Sequence, residues 1–272
     1  MRRLWVPSAR SNDEMWRDFL DGRIEGLERM KSAFRRIPSA PRCKACQAPF
    51  GGFGGKVFRF TPWRRWQANS ALCSICTGSL GTSVGGAEVE ATFLFADIRG
   101  STGVAEHMRP AAYQELLQRF YQVCAMAVDD AGGLVDKFLG DGVVAFFVPV
   151  FTGDGGPAAS AIRAGGGILA GVAGSAGEPD WLPVGVGVHT GLAYVGVLGA
   201  EGGQLDFTGV GDAVNTAARL RSVATAGELL VSIATVERAN LATDSLERRT
   251  LELKGREEPI DVVVLGRTAV GT

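Results

Sequence analysis

Apolar side chains near the start of the chain repeat at helical spacing over most of the first forty residues. The residues at steps of three, four or seven are Trp16, Leu20, Ile24, Leu27 and Phe34. Such a repeat predicts a helix with one apolar face. Ser11 or Asn12 can cap its start, and the pattern ends near Arg36. We therefore predict an amphipathic helix in residues 1–40, whose apolar face either packs on its own domain or forms a short dimeric seam.

After residue 88, apolar runs of strand length alternate with longer helical repeats. Residues 90–97 indicate a strand, Pro110 begins a helix predicted to reach Asp130, and GDG at 140–142 predicts a tight hairpin. The other predicted elements are a helix over 157–174, a strand pair VGVGVHTG and AYVGVLG, a helix over 212–222, and strands near 228–232, 247–253 and 260–265. This order predicts an α+β fold with its helices on one face of the sheet.

Between these two parts lies a segment of linker composition. The stretch TGSLGTSVGGAE at residues 77–88 is rich in glycine and serine. After the N-terminal helix we therefore expect a small cysteine-bearing module at 41–78, a linker at 79–88 and a main domain at 89–268.

Charge divides the chain near the same place. Residues 1–85 carry 15 Lys+Arg and 6 Asp+Glu, a net charge of +9, whereas residues 86–272 carry 13 and 23, a net charge of −10. Oppositely charged units can dock on each other or face different partners. An acidic main domain argues against a nucleic-acid partner. No apolar run reaches the ~20 residues of a membrane span, and the first residues lack a secretory signal, so we expect a cytoplasmic protein.

Two acidic residues lie where strands end. Asp97 closes the first predicted strand, and Gly100, Ser101 and Thr102 open a helix whose N–H groups can cradle phosphates. Asp97 or Ser101 can also serve merely as a helix cap. Asp141 at the hairpin tip is usual turn chemistry, but it comes beside Asp97 if the hairpin pairs with the first strand. Two carboxylates with triphosphate oxygens would then suit two Mg²⁺ or Mn²⁺ ions.

A third segment carries an amide and a guanidinium on one helical face. In DFTGVGDAVNTAARL, residues 206–220, Asn215 and Arg219 are four residues apart. An amide there can position a ribose oxygen, and a guanidinium can meet phosphate charge. The alternative is a surface helix capped by Asp212.

Together, the segments FADIRGST, DKFLGDG and DFTGVGDAVNTAARL resemble the catalytic domain of class III adenylyl cyclases over about residues 88–267. The resemblance implies a ferredoxin-like α+β fold. It also implies that Asp97, Asp141 and the Ile98 carbonyl bind the metal ions. The substrate would be ATP, the products 3′,5′-cyclic AMP and pyrophosphate, and the active site would be shared between the subunits of a homodimer.

The same resemblance assigns the groups that recognise the substrate. Lys137 corresponds to the lysine that reads the adenine edge, and Thr208 to the second purine-selecting position of a Thr- or Ser-bearing subgroup. Asn215 corresponds to the residue that orients the ribose, and Arg219 to the one that stabilises the pentavalent phosphorus. The aspartates would come from one subunit and these four residues from the other. A cyclase for GTP or a pyrimidine nucleotide, and a silent nucleotide-binding regulator on the same fold, remain alternatives.

Four cysteines form two pairs in the positively charged part of the chain. Cys43 and Cys46 are separated by two residues, as are Cys73 and Cys76, and this pairing predicts a tetrahedral zinc site. An iron–sulfur cluster, redox thiols and disulfides are the alternatives. The aromatic and basic residues between the pairs are Phe50, Phe53, Phe58, Phe60, Trp63, Trp66, Arg59, Arg64 and Arg65. We expect them to form a core around the metal, although such a mixture can also bind single-stranded nucleic acid.

Two further residues invite a functional interpretation that we do not favour. Cys124 lies on a predicted helix face and is expected to be buried. His189, in GVHTG, is expected to be a packing histidine.

Overall fold

The computed structural model describes residues 12–66, 69–78, 84–153, 155–173, 181–199, 205–256 and 258–266. The chain divides into two compact units. The first unit comprises Met1–Val89 and Tyr194–Gly209, and the second comprises Glu90–Ala193 and Val210–Thr272. Among the helices of the described residues, none has both the length and the hydropathy needed to cross a membrane.

The helices of the first unit are short. They are α1 (Asn12–Leu20), α2 (Leu27–Arg35), α3 (Gly52–Phe58) and α4 (Ser74–Gly78). The single N-terminal helix predicted from the apolar repeat is therefore wrong, because the chain turns between α1 and α2. Gly22 and Gly26 adopt positive φ angles of 72° and 77° there, a conformation that glycine reaches without steric cost.

The apolar face of α1 and α2 packs within the first unit. Trp16 is buried and stacks on Phe207, with ring centroids 5.9 Å apart and an interplanar angle of 24°. Leu20 and Leu27 are also buried. The side chains that could have formed a dimeric seam are thus largely used inside the unit.

The described strands form a single mixed sheet. They are β1 (Gly85–Ile98), β2 (Leu134–Leu139), β3 (Gly142–Phe147), β4 (Val184–Gly199), β5 (Leu205–Val210), β6 (Leu229–Ser232), β7 (Glu247–Leu251) and β8 (Ile260–Leu265). Their order is β2-β3-β1-β4-β6-β8-β7, with β5 paired to β4 off this path. The pair β4–β6 is parallel, whereas β1–β3, β2–β3, β6–β8 and β7–β8 are antiparallel. The α+β class predicted from the sequence is confirmed.

Two predicted boundaries need correction around this sheet. Because β1 begins at Gly85, the last four residues of the predicted linker 79–88 belong to a strand, while residues 79–83 lie outside the described residues. The predicted strand pair VGVGVHTG and AYVGVLG is one continuous strand, β4. Within this strand Gly191 allows close packing of α8, since a Cβ there would lie 3.1 Å from the Cβ of Ala213.

Helices of the second unit cover both faces of the sheet. They are α5 (Ser101–His107), α6 (Pro110–Asp130), α7 (Gly156–Val172), α8 (Asp212–Val223) and α9 (Ile233–Ala239). Leu229 and Val231 of β6 join the core that α6, α7 and α9 cover, whereas Leu230 joins a second core with Leu220 of α8. The prediction that all helices lie on one face is therefore wrong, because successive residues of β6 point to opposite faces and both sets are apolar.

Close contact between α8 and the sheet depends on Gly187 of β4. A Cβ at this position would lie 2.2 Å from the backbone nitrogen of Arg221 and 2.7 Å from the carbonyl oxygen of Ala217. Both neighbours are main-chain atoms of α8 and cannot move independently of the helix. Gly187 therefore sets how near α8 approaches β4.

We expect Gly187→Val to lower the free energy of unfolding by about 3 kcal/mol, because the added side chain must push α8 away from the sheet. Urea unfolding followed by circular dichroism measures this difference. Gly103→Ala in α5 is the matched control, since a Cβ there meets no atom within 4 Å. Equal stability of the two variants would contradict the role given to Gly187.

Candidate active site

The pairing of β1 with β3 places two carboxylates side by side. Asp97 lies opposite Gly142 in the antiparallel register, and the Ile98 N–H donates to the carbonyl oxygen of Asp141 at 3.0 Å. A Cβ at Gly142 would lie 3.4 Å from an Asp97 carboxylate oxygen, so glycine leaves room for that carboxylate. The sequence-based expectation that the hairpin brings Asp141 beside Asp97 agrees with this geometry.

Two arginines that sequence reasoning missed contact Asp97. Arg99 from the end of β1 and Arg221 from α8 each donate to one of its carboxylate oxygens. Arg99 also donates to the carbonyl oxygen of Ser222 at 3.4 Å, which links the end of β1 to α8. The sequence offered only a weak signal for this cluster, namely two arginines that each follow a predicted site residue by two positions.

Burial and charge act on Asp97 in opposite directions. Burial raises the pKa of this carboxyl above its ordinary value, and the nearby Asp141 adds to the rise. The positive charges of Arg221 and Arg99 oppose that rise but do not cancel it. A buried carboxylate next to a second one needs such cations, or metal ions in their place, to remain ionised.

The start of α5 adds a hydroxyl to this cluster. Gly100 adopts a positive φ of 68° ahead of the helix, and the Ser101 hydroxyl donates to a carboxylate oxygen of Asp141. Thr102 follows in the first turn of α5 and is exposed. Tyr121 of α6 donates its hydroxyl to the Gly140 carbonyl, which ties the hairpin tip to that helix.

The remaining predicted site residues lie outside this cluster. Lys137 is half-buried on β2, with its ammonium 3.5 Å from a carboxylate oxygen of Asp136. Asn215 is exposed and Arg219 is half-buried on α8. Thr208 is buried on β5 in the part of the chain assigned to the first unit.

The direction of α8 explains why Asn215 and Arg219 are not beside the aspartates. At about 100° per residue, Arg221 lies about 200° around the helix from Arg219. Since Arg221 reaches Asp97, the face that carries Asn215 and Arg219 points away from Asp97 of the same chain. One copy of the second unit therefore presents the carboxylates and the Asn–Arg pair on separate surfaces.

The oxygen groups near Asp97 fit the chemistry of hard cations. Two adjacent carboxylates and a neighbouring main-chain carbonyl, here that of Ile98, are the ligand types that Mg²⁺ and Mn²⁺ prefer.

A second cluster lies in the first unit, where the four predicted cysteines converge. The Sγ atoms of Cys43, Cys46, Cys73 and Cys76 lie within 4.8 Å of one another, and all four residues are buried. The Cys43–Cys76 sulfur distance is 3.9 Å and the Cys46–Cys73 distance is 3.6 Å. These distances are far longer than a disulfide bond of about 2.05 Å.

Backbone groups support the cysteine cluster. The Cys73 N–H donates to the sulfur of Cys43 at 3.3 Å, and the Cys76 N–H donates to the sulfur of Cys73 at 3.4 Å. Hydrogen bonds from the other three cysteines hold the pKa of Cys43 below its ordinary value. Hydrogen bonds within the same cluster raise the pKa of Cys46 and Cys76, so the four thiols do not all ionise on their own, and a bound metal ion would favour the thiolate form.

The surroundings of Cys124 and His189 indicate structural roles for both residues. Cys124 is buried in the core under α6, and burial raises the pKa of its thiol. The Nδ1 atom of His189 lies 2.8 Å from the hydroxyl of Ser232, which caps α9 by accepting from the Thr235 N–H. Burial, helped by the charge of Arg256, lowers the pKa of His189 to about 4, so this side chain is neutral at neutral pH.

Comparisons with known proteins identify the family to which this fold belongs. Residues 166–266 match the family described as the adenylate and guanylate cyclase catalytic domain. An adenylate cyclase of Anabaena cylindrica is 30% identical over 188 residues, which are 63% of this chain and 36% of that protein. An uncharacterized protein of Mycobacterium tuberculosis is 32% identical over 66% of this chain and 34% of its own length.

Two solved structures of cyclases are also similar to this chain. The adenylyl cyclase CyaB from P. aeruginosa is 30% identical with a TM-score of 0.56, over 68% of this chain and 98% of that one. The guanylyl cyclase Cya2 is 27% identical with a TM-score of 0.56, over 66% of this chain and 93% of that one. The chain therefore belongs to the class III adenylyl and guanylyl cyclase family. It spans only about a third of the length of the curated relatives it matches.

We expect His189 to make the second unit less stable in acid. Its folded pKa of about 4 lies below the ordinary value of 6.5, so its stabilising effect is complete above pH 6.5 and is lost as the pH falls towards 4. Between pH 7 and pH 5 the unfolding free energy should fall by about 2 kcal/mol through this group. Urea unfolding at both pH values tests this, and His189→Asn should flatten the dependence. An unchanged pH dependence in that variant would refute the assignment.

Proposed function

We propose that the chain is an adenylyl cyclase that converts ATP into 3′,5′-cyclic AMP and pyrophosphate at the interface of a homodimer. The observation that carries this proposal is the adjacency of Asp97 and Asp141 at the paired ends of β1 and β3. The reaction is attack of the ribose 3′-hydroxyl on the α-phosphorus, with pyrophosphate as the leaving group. The reaction requires little covalent chemistry from the protein. Most of the catalysis therefore comes from positioning of the substrate and neutralisation of its charge.

Each predicted residue has a defined task in this reaction. Asp97, Asp141 and the Ile98 carbonyl hold the metal ions. Two Mg²⁺ or Mn²⁺ ions, when bound, supply activation of the attacking hydroxyl and neutralisation of the triphosphate charge. Gly100, Ser101 and Thr102, at the start of α5, offer groups to the phosphate oxygens.

The other side chains handle the base, the ribose and the developing charge. Lys137 and Thr208 select the purine, and Asn215 orients the ribose. Arg219 stabilises the negative charge on the pentavalent phosphorus, where a planar guanidinium offers two donors at once.

The geometry of α8 supports the proposal of a homodimer. Because the face with Asn215 and Arg219 points away from Asp97 in one chain, a second copy is needed to supply these groups. Two-fold symmetry then creates two equivalent sites, each with aspartates from one subunit and the Asn–Arg pair from the other.

We expect purified protein with Mn²⁺ or Mg²⁺ to form cyclic AMP from ATP, identified by mass spectrometry against GTP, CTP and UTP. Asp97→Ala should reduce the rate at least about 1,000-fold, because it removes a metal ligand. Met126→Ser on the exposed side of α6 is the control and should leave the rate unchanged. A different cyclic product would overturn the assignment of ATP. No product from a folded, metal-loaded dimer would favour the silent regulator.

A shared site makes a sharper prediction for mixed variants. Asp97→Ala and Arg219→Ala should each be inactive alone, yet a mixture of equal amounts should regain about a quarter of the normal activity, because half of the dimers are mixed and each has one intact site. Subunit exchange followed by the cyclic AMP assay measures this. If the mixture stays as inactive as its components, the site is built within one chain.

We also propose that the four-cysteine cluster holds one structural zinc ion. Four sulfurs bound tetrahedrally at about 2.3 Å from a common centre lie about 3.8 Å apart. The observed separations of 3.6 Å and 3.9 Å match this spacing. An iron–sulfur cluster places several atoms between its thiolates and needs wider separations, so a single ion fits better.

Metal analysis of the purified chain should find one zinc ion per chain, and Cys73→Ser should remove most of it. Because a structural zinc site is coupled to folding, a strong chelator should also lower the melting temperature of the normal protein. Cys124→Ala is the matched control and should keep its zinc, since Cys124 lies in another core. Iron in place of zinc, or zinc retained in Cys73→Ser, would overturn this assignment.

A further inference from the structure

The first unit contains a long segment of a single charge sign. Between Glu28 and Glu88 the sequence has no acidic residue. The basic residues of this segment are Arg29, Lys31, Arg35, Arg36, Arg42, Lys44, Lys56, Arg59, Arg64 and Arg65. A surface formed from this segment attracts anions, although Lys31 already pairs with Glu28 at 2.8 Å.

Helix α3 in this segment packs against neighbouring parts of the chain through two glycines, Gly54 and Gly55. A Cβ at Gly54 would lie 3.0 Å from side-chain atoms of Ile37 and Pro49, and a Cβ at Gly55 would lie 2.4 Å from the carbonyl oxygen of Phe50. Both glycines are buried. A larger side chain at either position would clash with these neighbours, so α3 packs against them through its glycine face.

The outward face of α3 is apolar. Phe53 is 82% exposed, Val57 50% and Phe60 79%. These residues are spaced by four and three positions, so they follow one helical stripe that continues one turn beyond α3. Lys56 and Arg59 are exposed along the same stripe. We call these five residues the α3 patch.

The exposed rings of the α3 patch are not simply part of an aromatic core in the first unit. That core is formed by Phe34, Phe58 and Trp63, whose ring centroids lie 5.5–6.1 Å apart in edge-to-face contacts. The expectation that all the aromatic residues of this segment form a core is thus wrong for Phe53 and Phe60. Exposed phenylalanines that border cations mark a surface for binding.

We propose that the α3 patch docks on an anionic phospholipid surface. Apolar side chains on one side of a short helix, flanked by Lys and Arg, can enter the headgroup region while the cations meet lipid phosphates and carboxylates. Charge complementarity favours this occupant, because the surrounding segment carries only basic charge.

A lipid fits the α3 patch better than single-stranded nucleic acid does. Val57 offers no ring for a base to stack on, and the Arg59 guanidinium lies 4.3 Å over the Phe60 ring and covers one of its faces. In a lipid surface, by contrast, Phe53, Val57 and Phe60 can all be buried among acyl chains. Docking would hold the chain at a membrane surface without a membrane-spanning helix, and it does not depend on the proposed cyclase activity.

Co-sedimentation of the full chain with lipid vesicles tests this. Vesicles of phosphatidylcholine with about 30 mol% phosphatidylserine should bind the zinc-loaded protein, whereas pure phosphatidylcholine should bind it weakly. Phe53→Ser/Phe60→Ser should lower the partition coefficient at least about tenfold. Lys56→Gln/Arg59→Gln should lower it by about fivefold per charge removed. Met126→Ser, which changes an exposed apolar residue of α6, should bind like the normal protein.

Zinc content and thermal unfolding establish that each variant is folded before it is compared. Failure of the folded, normal protein to bind anionic vesicles would overturn the proposal. Equal binding by Phe53→Ser/Phe60→Ser and Met126→Ser would overturn it as well. Binding to a single-stranded oligonucleotide that is lost in Phe53→Ser/Phe60→Ser, with no binding to vesicles, would assign the patch to nucleic acid instead.

Discussion

The antiparallel pairing of β1 with β3 is the constraint on which the candidate active site depends. Its hydrogen bond from the Ile98 N–H to the Asp141 carbonyl brings the two carboxylates to neighbouring positions, at the end of a buried strand. Two negative charges in partial burial repel each other and lose hydration, which is unfavourable unless cations compensate. Arg99 and Arg221 provide part of that compensation at Asp97, and they lie on elements that must be correctly packed to reach it.

Helix α8 connects this pairing to the rest of the second unit. Its main chain rests against Gly187, so the position of the helix is set by backbone contacts rather than by adaptable side chains. One side of α8 then contributes Arg221 to Asp97, and another presents Asn215 and Arg219 away from it. The same packing that stabilises the monomer therefore separates groups that the proposed reaction needs together, and symmetry between two copies can reunite them.

The first unit is built on a different principle. Its helices are short, its aromatic core is small, and four buried sulfurs take the place that a larger apolar core would have. Glycines on the inner side of α3 leave Phe53, Val57 and Phe60 with no inner face to occupy, so the exposed stripe is a direct consequence of how the helix is seated.

Local patterns in the sequence were sufficient to predict much of the fold and of the candidate site. The run at 90–97, the helix Pro110–Asp130 and the hairpin around Asp141 depend on neighbours in the chain, and each was found where the pattern predicted it. The cysteine spacing likewise predicted that four sulfurs would converge. The strand, the helix and the hairpin are encoded within a few residues, by side-chain periodicity, proline and turn chemistry.

The remaining features of the fold and the site were decided by the tertiary structure alone. The N-terminal apolar repeat continued across Gly22 and Gly26, so only the packed structure revealed the turn between α1 and α2. The runs VGVGVHTG and AYVGVLG were predicted as two strands, yet they form the single strand β4, in which Gly191 packs against Ala213 of α8. The contact of Arg221 with Asp97 joins residues 124 positions apart. Periodicity and motif spacing determined which side chains could do chemistry, whereas the partners, faces and neighbours of those side chains follow from long-range packing, which no local pattern records.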